Sequence, residues 1–397
     1  MTETLVMRFA DVGVATYATL RVVGQPKRSV TWVVDEHHDE VDAALDAALP
    51  DPIGTETPTQ AVERAVSAGA FADPETEREL ARLLSSRLIS GEAWKLLFDC
   101  VSSPRPALFV TPSPRLGRVP WGQLAMPGRD GFRLMELADV LMSVPPNIVH
   151  SPRRPRSWVQ TKTGAPVLVL DPRIPGQRPD SALGSVLGRP SPDNPVAQHF
   201  GAALGAGVVP AVTAAVELFR RTDVDRHWLA RACAGDVARL LYVGHASAAD
   251  GAAGRADRAA VHLAEELPLT AGDMIASGLS FPSRVALLAC SSGGDYRFDE
   301  AAGLVAAMIL GGAQLVTATL WSLPTTAGFR QFDRSATQAD PMTDTIIGVD
   351  LAHRAESAGT AVNSWQRAQM RRWRDGDLAA SPLHWAALAT FAVDGAR

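Results

Sequence analysis

The chain has 397 residues, with 38 basic against 43 acidic side chains and a formal charge of −5. With 46% hydrophobic and 20% charged residues it reads as an ordinary globular protein, and its mild acidity argues against a life spent on nucleic acid. Three cysteines (Cys100, Cys233, Cys290) cannot build a disulfide framework, which predicts a reducing, cytoplasmic setting. The opening MTETLVMRFAD carries Glu3 and Asp11 and no apolar core of signal length, so no secretory leader is expected. None of the three lysines (Lys27, Lys95, Lys162) stands in a G-K-[ST] loop, which excludes a Walker-type phosphate cradle.

In chain order, residues 5–9, 15–23 and 28–34 read as strands, with Gly24-Gln25-Pro26 as a turn. Residues 41–48, 60–68, 75–88 and the stretch opened by Ser90-Gly91-Glu92 read as helices, and the Pro/Gly/Asp-rich 50–58 reads as a linker. From residue 107 onward, short apolar runs (107–110, 166–170, 207–209, 239–243, 284–289, 315–320) alternate with helical segments (211–221, 225–233, 270–277, 299–311). Runs buried on both faces and separated by helices predict an α/β fold with a mostly parallel sheet. Residues 151–195, rich in Pro, Arg and Ser, are expected to hold long loops. The uncharged stretch 301–323 is long enough to span a bilayer, but Gly311-Gly312 breaks it into helix, turn and strand, so no membrane span is expected.

Two of the predicted strands end alike. Residues 239–244 deliver His245, and residues 284–289 deliver Cys290, followed by the flexible-looking Ser291-Ser292-Gly293-Gly294. Ligands of open α/β sheets bind beyond the carboxyl ends of strands, and here that edge would hold a histidine and a thiol, the parts of a nucleophilic pair. Taken singly, each has a blander reading: a strand-end cysteine is usually a small core residue, and a lone histidine is usually a hydrogen-bonded structural one. Their joint placement on separate strand ends favours chemistry. No Cys/His cluster has zinc-ligand spacing, and no G-x-S-x-G elbow exists.

The stretch LYVGHASAADG (241–251) resembles the histidine motif of the CHAT domain, a bacterial branch of the caspase-like cysteine peptidases that include separase and metacaspases. VALLACSSGG followed by DEAAGLVAAMILGGAQLVTATLW (285–321) is similar to its cysteine motif. LGRVPWGQL (116–124) and LHWAALATFAVDG (383–395) resemble its entry segment and closing strand. The resemblance covers about residues 90–397 and implies a caspase-like, mostly parallel six-stranded sheet flanked by helices. Residues 1–90 would be an N-terminal accessory region, β-rich and then helical, and 91–397 the peptidase domain. The three N-terminal strands could instead extend the main sheet.

The implied activity is that of an intracellular cysteine endopeptidase with a His245–Cys290 dyad, in a bacterial defence or programmed-death system, needing no metal or organic cofactor. Backbone N–H groups of Cys290 and Ala246 would hold the oxyanion, although the family often has glycine where Ala246 stands. The partners expected are a protein or peptide substrate and a regulatory protein, with no nucleic acid and no membrane. The alternative is a catalytically silent interaction module that binds a partner peptide in the same cleft. Trp321, Ser322 and Leu323, at the end of the neighbouring strand, are expected to bind substrate, with Trp321 as an apolar wall. Metacaspases carry aspartate two positions before the cysteine; here Leu288 stands there, which predicts a small or apolar cleavage residue unless Asp250, Asp295 or Asp299 reaches in from a loop.

Overall fold

The computed structural model describes residues 3–13, 15–34, 38–128, 131–248, 255–294, 303–333 and 339–397. Its strands are β1 (Thr4–Val12), β2 (Ala15–Val22), β3 (Ser29–Val34), β4 (Ala107–Thr111), β5 (Asp139–Met142), β6 (Ala165–Leu170), β7 (Val237–Val243), β8 (Ala246–Ser247), β9 (Ala260–Val261), β10 (Leu269–Thr270), β11 (Arg284–Leu288), β12 (Leu315–Thr319) and β13 (Leu388–Ala392). Ten of these form one sheet in the order β3-β2-β1-β4-β5-β13-β12-β11-β7-β6, while β8–β10 form a small antiparallel sheet. β6, β7, β11 and β12 are mutually parallel, and β13 runs against β12 but parallel to β5. The expected class, a mostly parallel α/β sheet flanked by helices, holds. The sheet is larger than the six strands implied, partly because β1 pairs in parallel with β4. The N-terminal strands thus extend the main sheet, the arrangement the sequence had left open.

Every residue of β7, β11, β12 and β13 is buried. Strands apolar on both faces need cover on both. Helices Arg226–Ala234, Leu304–Leu310, Pro341–Arg354 and Ala358–Arg374 pack against them. The described part of the uncharged stretch holds helix Leu304–Leu310 and strand Leu315–Thr319 as expected, and among the described residues no helix is long and apolar enough to cross a membrane.

Two expectations fail. Residues 207–209 form only an isolated bridge at Val209 rather than a strand. Residues 211–221 are not a helix; only a 3-10 turn at Ala215–Leu218 forms. Parallel bridges from Val209 to Val167 and from Phe219 to Leu170 hold this segment along the free edge of β6, so tertiary pairing overrides the helix propensity of its alanines. The structure also has two long helices, 341–354 and 358–374, that the sequence reading did not find.

After β3 the chain continues as helix His38–Ala48, an exposed loop over residues 52–55, and helix Pro58–Ser67. Arg64 ties this loop down: it donates to the carbonyls of Leu49 and Asp51, both at 3.0 Å, and pairs with Glu56 at 2.9 Å. Helix 58–67 packs on helix Thr326–Phe332. Because β1 is zipped to β4, nicking by protease within residues 52–55 is expected to leave both pieces together on gel filtration. Separate elution of the N-terminal piece would show that it is a body of its own.

Candidate active site

β7 and β11 pair in parallel with Val243 opposite Leu288, and the ladder closes with the Gly244 N–H donating to the Leu288 carbonyl at 3.3 Å. His245 and Cys290 each follow two residues after that pair, on strands that pack about 4.8 Å apart. Both line one pocket of about 350 Å³ at the carboxyl edge of the sheet. The turn into His245 is tight: a Cβ on Gly244 would lie 2.8 Å from the Tyr242 hydroxyl. That hydroxyl lies 2.7 Å from the carbonyls of both His245 and His262, clamping the backbone beneath the imidazole. Burial pushes the Tyr242 phenol far up, so it remains a donor.

His245 Nε2 lies 3.0 Å from the Gly184 carbonyl. A carbonyl only accepts, so Nε2 carries the hydrogen and the neutral ring keeps its lone pair on Nδ1. Burial lowers the imidazole pKa, against the raising effects of the Gly184 carbonyl and Asp171, while Arg220 lowers it further. The Gly184 loop is itself a built structure. Asp171, buried just past β6, accepts from Ser185 Oγ at 2.6 Å and from the N–H groups of Val186 and Leu187 at 3.2 and 3.3 Å. Arg220 Nη1 donates to Asp171 and to the Gly184 carbonyl, each at 3.2 Å.

Cys290 is half-buried, whereas Cys100 and Cys233 are buried. Its thiol is pushed up by burial, against hydrogen bonds from the Leu323 N–H and the Ser322 side chain, with Asp51 adding a further upward push. The turn after it is tied down rather than loose, contrary to the flexible loop expected. Ser292 Oγ donates to the Leu287 carbonyl at 2.8 Å and accepts the Thr319 N–H at 3.1 Å. The Gly293 N–H reaches the Thr319 carbonyl at 2.8 Å, and Ser291 takes a left-handed φ of 49°. Such a conformation in a non-glycine residue costs energy and persists only where surroundings enforce it.

Of the expected substrate residues, Ser322 and Leu323 line the pocket with the dyad. Trp321 does not: it is fully buried, donates to the Leu383 carbonyl at 3.0 Å and stacks on Phe71 at 6.0 Å, so it is a core residue and not a cleft wall. Ala246 begins β8, pairs with Val261 and is not among the residues lining the pocket. Asp250, Asp295 and Asp299 lie outside the described residues. Sequence reasoning missed Asp171, although it ends an apolar strand as His245 and Cys290 do. It also missed Pro50, Pro52 and Pro58, which carried no signal beyond a linker-like composition, and Val62 of the expected helix 60–68; together they form one side of the pocket. Among the described residues no group of three or more His, Cys, Asp or Glu could hold a metal ion.

Arg220→Ala strands the buried Asp171 carboxylate and is expected to cost about 3 kcal/mol, measurable by denaturant unfolding. An unchanged unfolding midpoint would show that the Gly184 loop does not depend on this pair.

A family model described as CHAT domain matches residues 78–395. No curated protein sequence matches the chain. Among solved structures, two crystal structures of the Saccharomyces cerevisiae separase–securin complex are similar, each with a TM-score of 0.48 and 10% identity. They match over 99% and 98% of this chain, which spans 30% of the length of those chains.

Proposed function

We propose that the chain, which belongs to the CHAT domain family, is a cysteine endopeptidase with Cys290 as nucleophile and His245 as acid–base partner. The observation that carries this reading is the equivalent position of the two residues on neighbouring parallel strands, opening into one pocket. In this mechanism the thiol proton passes to His245 Nδ1 as sulfur attacks the peptide carbonyl. The imidazolium then protonates the leaving amine as the C–N bond breaks, leaving a thioester that water hydrolyses. The Cys290 N–H would face the developing oxyanion, while Ala246, held in β8, lies outside the pocket lining. Family resemblance supports placing this activity in a bacterial defence or programmed-death system, with a protein substrate and a regulatory partner. Residues 1–90 would be the accessory region and 91–397 the peptidase domain.

The rival reading, a silent module that binds a partner peptide, draws support from the thiol itself, since a thiol raised by burial is a poor nucleophile at rest. Labelling decides between them. A peptidyl thiol electrophile should react selectively at Cys290, and no selective reaction would favour the silent module. Alkylation of Cys290 should be half-maximal above the ordinary thiol value of about 8.5, because burial favours the neutral form.

Cys290→Ala is expected to abolish proteolysis while leaving the melting temperature nearly unchanged. Cys100→Ala and Cys233→Ala should keep activity, since burial pushes those thiols up to about 11 and about 12. Turnover by Cys290→Ala equal to wild type would end the peptidase reading.

The pocket's described lining holds no carboxylate and is rich in Pro, Val, Leu and Phe. We therefore expect cleavage after small or apolar residues. Strong cutting after arginine in a peptide library would overturn that preference.

A further inference from the structure

The pocket wall opposite the dyad comes from the far N-terminal part of the chain. Pro50, Pro52, Pro58 and Val62 line it together with His245 and Cys290. Between them, Asp51 Oδ1 accepts the Ser322 N–H at 3.1 Å, across a sequence separation of 271 residues. Ser322 and Leu323 line that pocket beside Cys290, and the N–H of Ser291, next to the nucleophile, donates to the Trp321 carbonyl at 3.2 Å. We propose that Asp51 is a positioning residue of the active site, holding the Ser322–Leu323 segment against the nucleophile, so that the N-terminal region is a working part of the catalytic centre.

Three observations support this. The loop that carries Asp51 is stiff: Pro50 and Pro52 flank it, and Arg64 gathers the carbonyls of Leu49 and Asp51. Helix 58–67, which continues the loop, packs on helix 326–332, which continues the Ser322–Leu323 segment, so both partners of the hydrogen bond sit on mutually braced elements. Finally, Asp51 Oδ2 is buried with no hydrogen-bond partner among the described residues. A buried unpartnered carboxylate oxygen costs stability, and a neutral acceptor would anchor one N–H equally well. A negative charge on this carboxylate favours the protonated sulfur of Cys290. Asp51 on the loop and the Tyr242 phenol within β7 act electrostatically with the thiol from outside the pocket's lining; among the described lining residues His245 is the one ionisable group besides Cys290.

The proposal rests on Cys290 being the nucleophile, and the test separates its failure from failure of that reading. Asp51→Asn and Asp51→Ala are made in the full chain. Iodoacetamide alkylation of Cys290 is followed against pH, with peptide cleavage and thermal melting measured alongside. Removing the negative charge should move the alkylation profile of both variants to lower pH. Asp51→Ala should lose about tenfold or more in kcat with KM little changed, the size expected of a misplaced catalytic group. Asp51→Asn should recover most of that loss, because its amide oxygen still accepts the Ser322 N–H. An alkylation profile unmoved in Asp51→Asn would overturn the proposal, even if melting falls, since lost melting alone marks a scaffold residue. Failure of Asp51→Asn to restore kcat would overturn the positioning role. If Asp51→Ala does not fold, or if the wild type cuts no peptide, the Asp51→Asn alkylation profile still decides.

Discussion

The in-register pairing of β7 with β11 is the constraint on which the site depends. Side chains alternate across a strand, so a slip of one residue would turn Cys290 to the opposite face and remove it from His245. The register is enforced by burial: all residues of both strands lie inside, and each large apolar side chain contributes about 1.5–3 kcal/mol only when seated on its own face. The strands also end in small residues, Gly244 and Ala289, which let the two chemical side chains follow without crowding. At Gly244 the Tyr242 hydroxyl fills the space that a side chain would need. Position is therefore dictated by the core, and the loops beyond it hold what the core delivers.

Burial also sets the electrical state of the site. It lowers the imidazole, raises the thiol and raises the Tyr242 phenol, so the resting site holds neutral groups where a polar surface would hold an ion pair. A neutral pair is cheaper to bury than a thiolate beside an imidazolium. The consequence for mechanism is an order of events. In the proposed reaction, proton transfer from sulfur to Nδ1 would become favourable as a carbonyl carbon arrives to share the developing charge. The Gly184 carbonyl adds direction, because it fixes which nitrogen of His245 bears the hydrogen. Asp171 and Arg220 act at one remove, through that loop.

How far the sequence spoke depended on where each element gets its stability. β6, β7, β11 and β12 carry their own apolar runs and were legible. The helix 358–374 was not, because its inward face carries polar side chains that bond to the sheet's backbone. Asn363 exchanges two hydrogen bonds with the main chain of Val140, and Gln366 donates to the carbonyls of Trp385 and Leu388. Polar residues thus interrupt the apolar series Ala358, Val362, Met370 and Trp373 on that face and blur its period. β5, only four residues long, was missed for the matching reason: part of its lateral support is Asn363. Trp321 shows a different limit. Its place at a strand end was legible, but its direction was decided by Phe71, a residue far away in sequence, which stacks on the indole and closes the core over it.

The same limit governs the N-terminal wall of the pocket. Residues 50–58 look like a linker because they are rich in Pro, Gly and Asp, the residues that end regular structure. Those properties serve a second purpose once the loop is fastened. Proline fixes backbone angles without needing a helix or strand, so a short segment can be rigid and present apolar rings to a pocket while remaining irregular. The matched family region begins at residue 78, whereas this wall is built from residues 50–62. The dyad and the wall thus answer to different constraints. The strands that bear His245 and Cys290 cannot shift without disturbing a buried sheet, whereas the loop is held by individual polar contacts such as those of Arg64 and Glu56 and the Asp51–Ser322 hydrogen bond. Changes at its prolines would leave every strand in register yet act on the pocket wall and, through the Asp51–Ser322 hydrogen bond, on the segment beside Cys290.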